Sequence, residues 1–320
     1  MTPVAFRPRR LGHVNLYVGE LERSIAFYEQ VCGIELVRRE KAIGGGFHSN
    51  GNTHHDIGMI EVSKGVDRIG RDGKIQIAAS RGTEPGLNHL GWEMENEVEL
   101  VAAYRRLQSS GLPIYRTADH LISHSLYIGD PDGNVHEFYA DAIPDWRTVF
   151  NLDHDDLVTA QWDPLGVAPS PATYYPVEPT IRRVDAAPLH PKHISGATLA
   201  TRNFDAMHRF FVEVGGLTPL EDDGVAGKRR VVLAGGRGHP DLTLIEAAER
   251  APTGLRLFSF VLAKDDDPAR AAERLSARGA TTLRKVEDAC RRAVVLTDPD
   301  GFQVEFYRPV AGELVAPLAA

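Results

Sequence analysis

Cysteine is nearly missing from this chain. Cys32 and Cys290 are the only two in 320 residues, so no disulfide framework is available and a reducing compartment suits it. Long apolar runs are lacking too: no segment reaches the length needed to span a bilayer, and the first residues have no signal-peptide core. Beyond the short stretch from Arg7 to Arg10 there is no dense basic run, and the net charge is -8, which argues against a nucleic-acid partner. No Gly-x-Ser-x-Gly nucleophile motif occurs, and Gly44-Gly45-Gly46 reads as a turn because no helix follows to hold a phosphate. What is present, 42% hydrophobic and 25% charged residues, is a globular composition long enough for two cores. The expectation is a soluble cytoplasmic protein with neither a membrane nor a nucleic-acid role.

The segment Asp130-Pro-Asp-Gly-Asn-Val-His-Glu-Phe-Tyr139 returns as Asp298-Pro-Asp-Gly-Phe-Gln-Val-Glu-Phe-Tyr307, which marks a duplicated architecture. Around it, one order of elements occurs four times. Gly12 to Val18 alternates Val14, Leu16 and Val18 against His13, Asn15 and Tyr17, as a strand with one packed face does. Leu21, Ile25, Tyr28 and Val31 follow at helical spacing, closed by Gly33. Ile34 to Arg39, Gly46 to Ser49 and His55 to Val62 read as three more strands, giving βαβββ. Further units open at Asn88, His193 and Leu257; the last has a helix started by Asp267-Pro268. The fold class is therefore α+β, with residues 1–145 and 190–320 as two domains of two units each. Residues 146–189 form a proline-rich connection with a short helix near Trp146.

Paired βαβββ units, a histidine on the first strand and the closing Asp-Pro-Asp-Gly-x-x-x-Glu-Phe-Tyr resemble the vicinal oxygen chelate superfamily. That superfamily includes glyoxalase I, the fosfomycin and bleomycin resistance proteins and the type I extradiol ring-cleaving dioxygenases. The resemblance covers nearly the whole chain and implies two curved open barrels, or cups. It also implies that His13, His89 and Glu137 are metal ligands. Two imidazoles and a carboxylate on one face of an ion suit non-haem Fe(II), with Mn(II) as a substitute, because the opposite face stays open.

Three more positions choose among reactions. His55, in Thr53-His54-His55-Asp56, resembles the acid/base histidine of extradiol dioxygenases; Tyr127 matches their substrate-facing tyrosine, and His120 their second pocket histidine. Strand alternation turns His55 into the cup and His54 away from it, while His48, His124 and His136 read as surface or supporting residues. Aligning the halves through the echoed motif sets His13 opposite His193, His89 opposite Leu257 and Glu137 opposite Glu305. It also sets His55, Tyr127 and His120 opposite Pro240, Val295 and Asp288, so the second cup has neither the triad nor the pocket. The expectation is an Fe(II)-dependent extradiol dioxygenase opening a catechol with O2 to a muconic semialdehyde-type product, assembled as a homodimer or larger homo-oligomer. The alternatives are a glyoxalase-type lyase or thiol transferase and a non-catalytic small-molecule binder.

Overall fold

The computed structural model describes residues 4–150, 159–175, 179–222, 229–278 and 282–319. The first half runs β1 (Arg10–Val18), α1 (Leu21–Ala26) with a wider π-helical turn to Val31, β2 (Glu35–Glu40), β3 (Gly45–Ser49) and β4 (Ile57–Glu61). A small hairpin of β5 (Arg68–Ile69) and β6 (Ile75–Ile77) precedes β7 (Gly86–Glu93), α2 (Glu97–Ser110), β8 (Ile114–Asp119), β9 (Ser123–Gly129) and β10 (Val135–Asp141). After α3 (Arg147–Phe150) comes β11 (Ala160–Gln161). The second half repeats the plan with β12 (Pro191–Thr201), α4 (Phe204–Arg209), β13 (Thr218–Asp222), β14 (Arg230–Ala234) and β15 (Pro240–Glu246). It closes with β16 (Gly254–Leu262), α5 (Pro268–Ala277), β17 (Thr282–Glu287), β18 (Arg291–Thr297) and β19 (Gln303–Pro309).

Two curled, open half-barrel sheets result. Their orders are β11-β8-β9-β10-β7-β1-β4-β3-β2 and β17-β18-β19-β16-β12-β15-β14-β13, the same sequence of strands apart from β11. In both, the first and fourth strands of a unit pair in parallel, while the first strands of successive units pair antiparallel. The alternation read in Gly12–Val18 is present as buried Val14, Leu16 and Val18 against the cup-facing side chains. Asp267 caps α5 by accepting from Ala269 N at 3.0 Å, with Pro268 at the first helical position.

The echoed motif is a turn device. Asp130 Oδ1 accepts from Asp132 N and Asn134 N at 3.0 and 2.9 Å, and Asp298 Oδ1 accepts from Asp300 N and Phe302 N at 2.9 and 2.8 Å. Gly133 and Gly301 follow at φ +85° and +95°, which an L side chain resists. The same turns lock the halves together: Tyr28 Oη, from the first helix, donates to Asp298 Oδ2 at 2.8 Å. Across the molecule Phe211 packs edge-on to the buried His136, ring centroids 5.2 Å apart. No helix among the described residues is long and apolar enough to cross a membrane.

Candidate metal centre and its pocket

β1, β7 and β10 are neighbours, and their register brings three donors together. His13 on β1 and Glu137 on β10 both sit opposite Gly91 of β7, while His89 lies two residues earlier on the same face. Gly91 is required there, because a Cβ on it would lie 2.0 Å from His13 Nε2; the His13 ring crosses β7 over this residue. His13 Nε2 and His89 Nε2 are each 2.9 Å from Glu137 Oε2 and 3.2 Å from each other. Donors held at right angles about 2.1 Å from one ion stand about 3.0 Å apart, so this trio fits a single divalent cation. Asn88 Oδ1 lies 2.6 Å from His89 Nδ1, which assigns the proton to Nδ1 and leaves the Nε2 lone pair toward the centre.

Electrostatics favour the ligand forms. Burial pushes His13 down to about 4, so its imidazole is neutral near pH 7. Burial opposes ionisation of Glu137, yet its contacts with His120, His13 and His89 outweigh it and hold the carboxyl well below its ordinary range. Tyr127 Oη donates to Glu137 Oε1 at 2.6 Å, and His120 Nε2 stands 3.0 Å from the same Oη and 3.4 Å from Oε1. Burial and the neighbouring Glu137 raise the Tyr127 phenol well above its usual value, so it stays a donor.

His55 packs its ring 4.0 Å from that of His13 and 5.1 Å from that of Phe47. Among the described residues neither ring nitrogen of His55 has a hydrogen-bond partner, and burial, with His13 and His54 beside it, holds its pKa well below the ordinary value. These groups open on a cavity of about 440 Å3, lined also by Asn15, His54, Phe47, Ile77 and Arg116. That is roomier than the roughly 150 Å3 that holds a bare benzene ring.

Several expectations need correcting. His54 also faces the cavity, with Nδ1 3.2 Å from Asp141 Oδ1, because residues 50–56 form a loop, β4 starts only at Ile57, and alternation does not apply. Of the surface or supporting places read for them, His48 and His136 take no surface one, since both are fully buried; His136 accepts from Trp92 Nε1 and lies 3.0 Å from Asp130 Oδ2. His124 lies outside the cavity lining, stacked on Trp162 with centroids 4.7 Å apart. The sequence also gave no sign of Gly91 or of the β5–β6 hairpin, whose Lys74, Ile75, Gln76 and Ile77 line the cavity.

The second cup is built otherwise. Register places Gly196, not His193, at the position of His13, since Val14 pairs Ile57 where Ala197 pairs Leu242. β1 and β12 carry matching bulges, between Leu11 and His13 and between Ile194 and Gly196, so His193 takes the place of Arg10, and its Nδ1 donates to its own neighbour Ile194 O at 2.7 Å. Leu257 takes the place of His89, as expected. Glu305 is spent on Arg291 Nη1 at 3.0 Å and Ser259 Oγ at 2.6 Å. The C-terminal tail fills the remaining space: Thr198 Oγ1 donates to Leu318 O at 2.8 Å, Thr243 Oγ1 to Pro317 O at 3.1 Å. Among the described residues, the groups of donors able to share an ion all contain His13.

A family model described as the glyoxalase/bleomycin resistance protein/dioxygenase superfamily matches residues 10–138 and 191–306. The chain is 29% identical over 131 residues to a catechol-2,3-dioxygenase of Bacillus subtilis (strain 168), a stretch that makes up 41% of each protein. The match therefore spans well under half of that relative. Among solved structures, the 2,3-dioxygenase LapB from Pseudomonas sp. KL28 superposes with a TM-score of 0.66 at 18% identity, covering 100% of this chain and 96% of that one. A Mn(II)-bound glyoxalase from Novosphingobium aromaticivorans gives 0.64 at 15% identity, over 98% and 89%.

Proposed function

This chain belongs to the glyoxalase/bleomycin resistance protein/dioxygenase superfamily, and we propose that within it the protein is an Fe(II)-dependent extradiol dioxygenase acting on a catechol-type substrate. The observation that carries the reading is the meeting of His13 Nε2, His89 Nε2 and Glu137 Oε2 within 3.2 Å beside a cavity that also presents His55, Tyr127 and His120. The second cup, made of the same fold, keeps only the carboxylate, Glu305, at the matching positions and has none of the histidines or the tyrosine, so the set is not a requirement of the architecture. One relative, the catechol-2,3-dioxygenase of Bacillus subtilis, supports the reading by its name, while a lactoylglutathione lyase and a metallothiol transferase among the relatives stand for the alternative.

His13, His89 and Glu137 would hold the ion. A ferrous ion there supplies the one-electron chemistry that lets O2 react with an electron-rich ring. The protein's part is to bind, orient and move protons. His55, whose ring nitrogens have no hydrogen-bond partner among the described residues, takes the proton a catechol hydroxyl must shed on binding and returns it to the product oxygen. Tyr127 and His120, linked to each other and to Glu137, would turn a phenol hydrogen and an imidazole hydrogen from Glu137 to negative charge on substrate oxygens. Phe47 and Ile77 form an apolar wall that orients the ring and excludes water. Mn(II) fits the same nitrogen and carboxylate donors.

The test is anaerobic loading with Fe(II), then O2 and a panel of catechols, followed by the absorbance of a yellow ring-opened product. His55→Ala should keep its iron and lose turnover by about 100-fold or more; a rate equal to the parent's removes His55 from the proposed chemistry. Activity with a redox-inert metal on a thiol adduct, without O2 uptake, would instead favour a lyase or thiol transferase.

A further inference from the structure

The residue after His55 turns away from the cavity and reaches the other half of the molecule. Asp56 is buried, and both its oxygens accept from backbone. Oδ2 takes Asn50 N at 2.9 Å, closing the loop that carries His54 and His55; Oδ1 takes Ile194 N of β12 at 3.0 Å. The second half returns the contact. Buried Asp241 accepts from Gly235 N at 2.8 Å within its own loop and from Leu11 N at 2.9 Å across the interface, two residues before His13. Register makes these equivalents: with Ile57 matched to Leu242 and Val14 to Ala197, Asp56 corresponds to Asp241 and Leu11 to Ile194.

The comparison within the chain separates two roles. Pro240 stands where the first half has His55, so the second half has discarded the histidine and kept the carboxylate. What is kept in both halves is the reciprocal bond. In the first half alone it touches segments bearing site residues. His55 makes no ring hydrogen bond among the described residues, so its aim depends on the loop backbone and on the flanking His13 and Phe47 rings. That loop is held by Asp56 N on His48 O at 2.8 Å, by Asp56 O accepting from Val14 N at 3.2 Å, and by the two side-chain bonds of Asp56.

We propose that the half without the donor triad is a brace for the half that has it: Ile194 fixes Asp56 and thereby aims His55, and Asp241 fixes the start of the strand that carries His13. Asp56 and Asp241 are positioning residues, and the inference rests on the reading of His13 as a ligand and His55 as the proton carrier. Two buried carboxylates, each accepting two N–H groups, are strong local constraints. An amide in either place presents a donor where a second backbone N–H needs an acceptor.

The experiment uses the full chain with Asp56→Asn and Asp241→Asn. Zn(II) affinity is measured by calorimetry, the His55 ring resonance in the Zn(II)-loaded protein by NMR, and kcat and KM by catechol turnover of the Fe(II)-loaded protein. Asp56→Asn should bind Zn(II) within about twofold of the parent, broaden or shift the His55 resonance, and lower kcat about 100-fold with little change in KM, as misplacement of a reacting group does. Asp241→Asn should weaken Zn(II) binding about tenfold, the scale of a lost supporting bond. Equal loss of thermal stability in both, with Zn(II) affinity and the His55 resonance unaltered, would overturn the proposal and leave the carboxylates as interface bonds only. If an Asn variant does not fold, Asp56→Glu and Asp241→Glu keep the charge but displace the oxygens, and the same division of effects is expected. Failure of the parent to cleave any catechol would defeat the dioxygenase reading, while the Zn(II) and NMR results would still decide the brace.

Discussion

A methyl group on Gly91 would meet the His13 ring 2.0 Å from its Nε2, so Gly91→Ala must push His13 off the other two donors. Divalent-metal affinity should fall by about tenfold or more, judged by calorimetric titration of the folded variant; equal affinity would mean that His13 is no ligand. Burial acts on another histidine in a way that pH can read. His48 is fully buried and held down to about 3. An imidazole depressed in this way binds fewer protons folded than unfolded. Its contribution to stability is therefore whole above about 6.5 and drains away as pH falls toward 3. The urea midpoint of His48→Leu should gain on that of the parent between pH 7 and about 4.5; a constant difference would contradict this. At this scale the sequence was informative where a residue's chemistry spoke for itself, as with His13, His89 and Glu137. It was silent on Gly91, whose role exists only once β7 runs beneath the His13 ring, and it misled on His54 because a loop has no two-residue period.

The repeated βαβββ order was readable because hydrophobic periodicity and turn glycines act locally. The β5–β6 hairpin was not, because its strands are only two and three residues long and none of their residues is fully buried. The structure gives it meaning by contrast: residues 62–85 link β4 to β7, while only 247–253 link the matching β15 to β16. The hairpin is fastened beside the cavity by Arg71 on Asp119 at 2.6 Å, by Gln161 N on Asp72 Oδ2 at 3.0 Å and by Arg116 on Gln76 O at 3.4 Å. β11, which supplies Gln161, joins the edge of the first sheet from within the stretch read as an irregular connection. Replacing residues 66–80 with a short Gly-Ser link should raise the KM for catechols about tenfold with the bound iron retained, since the change removes substrate contacts and leaves the donors. Steady-state kinetics with iron analysis decides; an unaltered KM would make the hairpin irrelevant to binding.

Duplication let the two halves diverge without losing the fold they share. In one, three strands aim donors at a point and a cavity opens over them. In the other, Glu305 is paired with Arg291 and the chain's own tail occupies the cup. The asymmetry was legible in the sequence through Leu257, but the partner assigned to His13 was wrong, because β12 sets His193 at the place of Arg10, three residues before the His13 position, and no residue pattern marks that offset. The tail was invisible for a similar reason: its bonds to Thr198 and Thr243 join residues 120 and 74 positions apart. The most direct test of one ion in one half is anomalous diffraction at the iron edge from crystals loaded anaerobically with Fe(II). A single peak about 2.0–2.2 Å from His13 Nε2, His89 Nε2 and a Glu137 oxygen is predicted. Iron beside Glu305, or a loaded chain with no iron at the three donors, would contradict it.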